Sequence, residues 1–168
     1  MEFALLAPLL CLMLGVAVET GRVLISYRKF ETVFAGVSRH IVRYPEYEKR
    51  SRDYAKPIPK TLFPEIDQAS LNLVVVSLVK EGGILKEVFP PHVLFGVNPG
   101  IAWNATVKPA NYAEDEAVVF VAAIYKYKPL FSVGTSFSLE FKKTAMILPP
   151  FSRKFPWNNG QVADKYVY

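Results

Sequence analysis

The sequence predicts an α+β protein: one long N-terminal helix followed by a small antiparallel sheet of three or four strands. Three observations carry this. An uncharged apolar run opens the chain, helical spacing of large side chains continues it, and after residue 70 the hydrophobic period changes from about 3.6 to two. The 168 residues leave room for one domain and an anchor.

Phe3 to Val18 holds sixteen residues without a charge. As a helix that run is about 24 Å long, short of the roughly 30 Å hydrocarbon core of a bilayer. Glu19 closes it, and Val23, Leu24 and Ile25 resume the apolar character, so the helix could sit deeper at some cost. Pro8 falls near the start, where a missing N–H is least damaging. Glu2 stands immediately before the run, where a secretory signal would carry a positive charge.

From Val23 the large residues Val23, Tyr27, Phe30, Phe34, Val37, Ile41 and Tyr44 follow at alternating spacings of four and three, a helical stripe resembling a coiled-coil seam. Arg22, Arg28, Lys29, Glu31, Thr32 and Arg39 fall off the stripe and are expected to face water. The ordinary fate of such a face is docking on the protein's own domain; the alternative is packing on copies of itself or on a partner helix. The expected organisation is a helix over 1–44 (membrane segment about 3–18, amphipathic continuation 22–44), a proline-rich connection over 45–70, a sheet domain over 71–150 and an aromatic tail over 151–168.

In the connection, four prolines among mixed charges allow one short helical turn at most, and Tyr47, Tyr54 and Phe63 suggest that it lies along a surface. Strands are expected at 71–80 and 117–128, apolar on both faces, at 101–108, and at 136–148. In the third, Ile101, Trp103, Ala105 and Val107 alternate with polar residues; in the last, Phe137, Leu139, Phe141, Ala145 and Ile147 face inward. Gly82-Gly83 offers a turn, and the short link before Ser136 makes the last two strands a hairpin.

The net charge of +5 is concentrated. Between Arg22 and Lys60, ten Lys/Arg against four acids leave +6, while the residues before are at −2 and those after at +1. Basic residues beside a membrane segment contact headgroups or solvate a surface, and no nucleic-acid motif accompanies them. No catalytic or metal constellation stands out, and no cofactor or small-molecule substrate is called for. His40 and His92 are far apart without ligand-spaced neighbours. Ser38 and His40 point to different sides of a helix, and Glu114-Asp115-Glu116 reads as a solvated turn. Gly82-Gly83 lacks the lysine and helix start of a phosphate loop, and Asn104-Ala105-Thr106 is a chance-level sequon. Cys11 is the single cysteine, so no internal disulfide forms. Leu10 before it argues against a lipoprotein site.

EFALLAPLL followed by the apolar run and then ETGRVLISYRKFETVFAGVSR resembles the N-terminal helix of the TadE-like family, small pilin-like proteins of bacterial tight-adherence pilus systems. DEAVVFVAAIYKYKPLF and FSLEFKKTAMILPP are similar, more loosely, to that family's closing hairpin, and the two matches cover about half the chain. The resemblance implies a structural, non-enzymatic role in pilus assembly and cell adhesion. Its implied partners are the lipid bilayer, other pilin-like subunits and the assembly machinery. It places the chain in the bacterial inner membrane, with its domain extracytoplasmic or in a pilus. It also implies that Glu2 and Phe3 form the processing and assembly motif, at the fifth and sixth positions after a basic leader. Either Met1 is internal and a leader precedes it, or processing has been lost. In a processed chain Glu2 would pair with a neighbour's terminal amine; in an unprocessed one it would sit hydrated among headgroups.

Two other readings remain open. One is a permanent anchor bearing an extracytoplasmic interaction domain. The other is a secreted binding domain cut near Gly15-Val16-Ala17. Arg22, Arg28 and Lys29 after the helix favour a cytoplasmic C-terminus, a tendency that a basic leader would counter.

Overall fold

The computed structural model describes residues 2–43, 55–105, 108–130 and 138–148, with side chains except those of 2–5, 42, 43 and 105. Tyr44, Tyr47, Tyr54, Val107, Phe137 and the tail 151–168 therefore lie outside the described residues or side chains.

Helix α1 runs unbroken over Glu2–Arg43, about 63 Å at the helical rise. Pro8 and Gly21 are both accommodated within it. The hydroxyls of Thr20 and Thr32 donate to the carbonyls of Val16 and Arg28, one turn back, sharing those acceptors with the helical ladder. A short helix α2, Ile58–Leu62, follows the connection and packs on α1 at Gly36. A Cβ at Gly36 would come within 3.0 Å of Leu62 Cδ1, so the missing side chain sets the approach of the two helices. The connection exceeds the single helical turn expected of it: α2 is followed by a 3-10 turn at Gln68–Ser70, and Phe63 between them is buried.

The sheet has five strands, one more than the upper expectation: β1 Leu71–Glu81, β2 Ile84–Glu87, β3 His92–Phe95, β4 Ala117–Tyr127 and β5 Leu139–Ile147. All pairings are antiparallel, in the order β2-β1-β4-β5. β2 and β3 share one side of β1, β2 along Leu78–Glu81 and β3 along Leu73–Val75, so the sheet is still only four strands wide. At four residues each, β2 and β3 are too short for a period-two signal to register. The β1–β2 hairpin turns on Gly82 and Gly83, both at positive φ, the geometry a two-residue hairpin loop demands.

Among the described residues of the expected strand 101–108, no strand forms. Trp103–Ala105 is a single 3-10 turn, and Ile101, Trp103 and Tyr112 pack on the face of the sheet turned away from α1. The alternation of Ile101 and Trp103 marks a real apolar face; it belongs to a covering loop instead of a ladder. Trp103 Nε1 donates to the Glu87 carboxylate, fastening that loop to β2.

Two apolar layers result. Between helix and sheet lie Phe30, Val33, Phe34, Val37 and Ile41 against Leu71, Leu73, Val75, Val119, Val121 and Ala123. Beneath the covering loop lie Val74, Val76, Leu78, Val118, Phe120 and Ala122. The central strands β1 and β4 are therefore buried on both faces, as their apolar runs predict.

Gly96 ends β3 at φ +63, where a Cβ would fall 2.7 Å from the Leu71 carbonyl oxygen and 2.1 Å from Asn72 Oδ1. The left-handed backbone and the close approach both require glycine. Gly96→Ala is expected to destabilise the domain by about 2 kcal/mol, read as a lowered urea midpoint. An unchanged midpoint would mean that the loop re-forms freely.

Candidate functional site, the helix and its docking seam

In α1, side chains at spacings of three and four share a face, and that face meets the sheet along an aromatic seam. Phe30, Phe34, Val37 and Ile41 are buried, and Val23 and Tyr27 half-buried. The Phe30 ring stacks on Tyr125 with centroids 6.1 Å apart and lies 6.3 Å from Phe141. Tyr27 meets Phe141 edge-on at 5.4 Å, an arrangement that places a ring's positive edge on its neighbour's negative face. Phe141 also stacks on Tyr127 at 6.0 Å. Val33 is 1 % exposed and joins the core although it falls off the alternating stripe, because a helix face facing a sheet is wider than a two-helix seam.

Charged residues edge the seam, and here one expectation is corrected. Glu31, expected in water, accepts a charge-assisted hydrogen bond from Lys143 of β5. Lys143 points inward with Leu139, Phe141, Ala145 and Ile147, so the strand's own parity carries its ammonium to the helix. On the other flank Lys29 pairs with Glu65 at 2.9 Å and lies 5.1 Å over the Phe63 ring. Arg22, Arg28, Thr32 and Arg39 are exposed as expected.

The Lys143 ammonium holds the Glu31 carboxyl below its ordinary value of 4.5, chiefly through the hydrogen bond, and Glu31 raises Lys143 above 10.5. The Glu31 contribution is present above the unfolded carboxyl value and is lost as pH falls through the depressed one. The Lys143 contribution is lost as pH rises through the elevated one. Acidification is therefore expected to loosen the α1–β5 contact modestly, as the exposure of the pair dictates. Near-UV circular dichroism of wild type and Glu31→Gln checks this: the variant should show the smaller acid change, and identical profiles would exclude the pair as the cause.

Glu19 is the residue that sequence reasoning treated only as the end of the apolar run. Its carboxylate accepts from the Tyr127 hydroxyl at 2.8 Å and from the Leu130 N–H at 3.3 Å, tying the end of β4 to the helix. Arg22, one turn on, lies beside the same hydroxyl. The available signal was its being the lone charge between Phe3 and Gly21. The acids at 114–116 serve the backbone: Glu114 accepts from the Gly82 and Gly83 amides, and Glu116 from the Ala113 N–H.

Toward its N-terminus α1 leaves the domain. Leu9, Leu10, Leu12, Met13, Leu14, Val16 and Val18 are each at least half exposed. A helical segment within Leu6–Ile41 is long and apolar enough to cross a membrane, and its most apolar window is wholly unburied. An apolar groove of about 700 Å³ runs along it between Cys11, Gly15, Val16, Val23 and Leu139. Glu2 and Phe3 lie in the first turn, and their side chains are outside those described. Among the described residues, no group of three or more His, Cys, Asp or Glu gathers as a metal site would require.

No curated protein and no solved structure matches the chain. Residues 1–33, which comprise the exposed apolar half of α1 and the first turns of the docking seam, match the family model described as TadE-like protein, and over that helix the chain is similar to that family.

Proposed function

We propose that this chain is a pilin-like membrane protein acting structurally in a tight-adherence-type pilus system, by helix packing and domain contacts and without catalysis. The observation that carries this reading is the coincidence of the TadE-like match over 1–33 with a helix whose apolar half is unpartnered. A helix apolar all round is at home in lipid or against other helices. In this reading α1 anchors the chain in the bacterial inner membrane and the sheet domain lies outside. Glu2 and Phe3 form the processing and assembly motif, and the bilayer, pilin-like subunits and assembly machinery are the partners.

The test is deletion of the gene in its host, with surface pili counted and the chain followed in membrane and sheared-filament fractions. Loss of pili, restored by the full chain, is expected; unchanged pili would sink the reading. A second reading, a permanently anchored extracytoplasmic interaction protein, is favoured by the burial of Phe30, Phe34, Val37 and Ile41 against the protein's own sheet, which withdraws that face from partners. Mass spectrometry of the mature N-terminus separates the two. A terminus three residues upstream of Met1 means prepilin-type cleavage and filament competence. A retained leader, or a terminus at Met1, means a permanent anchor.

A further inference from the structure

The apolar run Phe3–Val18 is about 24 Å long, and a bilayer core of about 30 Å leaves it short by a turn. Continuing to Ile25 makes 23 residues and about 34 Å, enough to span. The obstacles are Arg22, about one turn from the edge and long enough to reach the headgroups, and the deeper Glu19, since a carboxylate in hydrocarbon is costly unless it is paired and hydrogen-bonded. That requirement is met within the chain, because Tyr127 and Leu130 both donate to it and Arg22 lies at the same hydroxyl. Leu24 and Ile25, beyond Glu19, are 60 % and 56 % exposed. Because Glu19 is hydrogen-bonded to the end of β4, a helix inserted as far as Ile25 carries that end of the sheet with it. Leu130, 61 % exposed, stands there.

Resting on the membrane-anchor reading above, we propose that the waterline lies beyond Ile25, so that the end of β4, with Leu130 just past it, is embedded in the phospholipid bilayer with Glu19 paired inside its edge. The bilayer is the occupant because Leu130, whose N–H donates to Glu19, stands beside the helix that spans it. Arg28 and Lys128, both exposed, then fall at headgroup level, where long cationic side chains reach phosphate. The domain thereby stands on the membrane in one orientation, with Leu148, at the opposite end of β5, roughly 30 Å away in water.

Cys11 is the only cysteine, so Cys11→Ala gives a background for single spin labels on the full chain. Labels at Leu14→Cys, Ile25→Cys, Leu130→Cys and Leu148→Cys, in vesicles of phosphatidylethanolamine and phosphatidylglycerol, report collision with oxygen, which favours lipid, and with a polar nickel complex, which favours water. The oxygen-to-nickel ratio at Leu14, Ile25 and Leu130 is expected several-fold above that at Leu148. A Leu130 ratio equal to that of Leu148, with Leu14 in lipid, overturns the embedding and leaves the anchor intact. A Leu130 label shielded from both reagents means a protein cover and also overturns it. A Leu14 label open to nickel overturns the membrane reading itself.

Discussion

Phe30→Ala is expected to destabilise the docked domain by about 3 to 5 kcal/mol, the range for removing a buried aromatic ring. Phe30 is wholly buried, and its ring touches two adjacent strands of the sheet, through Tyr125 of β4 and Phe141 of β5. Phe34 lies 6.5 Å away on the next turn, so collapse into the vacated space would have to draw on the same row of rings. Urea unfolding in detergent micelles, followed by near-UV circular dichroism, reads the change. Far-UV helicity of the apolar half should persist through the same transition. A loss below about 1 kcal/mol would fall within surface-substitution behaviour and would mean that α1 does not hold the sheet.

Leu14→Arg should act on the other half of the helix and leave the domain intact. A central arginine raises the cost of inserting a helix by roughly 2.5 to 3.5 kcal/mol, about a hundredfold in partition. Leu14 is 68 % exposed and touches nothing in the core, so the unfolding midpoint should not move. The expected result is loss of the chain from alkali-washed membranes with an unchanged urea transition. Retention in the washed membrane would mean that the apolar half finds its partner elsewhere.

The elements legible in the sequence were those with a long, consistent period. Forty-two residues of helix announce themselves through an uncharged run joined to a three-four stripe, and β1 and β4 through eleven apolar-rich residues each. The family resemblance rested on the same helix and, more loosely, on the closing hairpin, and the match, over residues 1–33, is to the helix alone. What was missed is short or long-range. β2 and β3 carry four residues each, and Ile101 with Trp103 produces strand-like alternation while lying flat on a sheet face. The Glu19–Tyr127 and Glu31–Lys143 contacts join residues more than a hundred positions apart, and only the register of β4 with β5 brings them to the helix. Neither contact leaves a local signature.

Because one helix forms both the apolar shaft and a wall of the domain core, the two cannot slide past each other independently. Moving α1 by a single turn along its axis would set Phe30 where Phe34 sits and separate Glu19 from Tyr127 and Glu31 from Lys143. A pull on the sheet is therefore transmitted to the shaft through rings in contact and the ties of Glu19 to Tyr127 and Glu31 to Lys143. The domain acts as a handle keyed to its rod, and work done on one end arrives at the other.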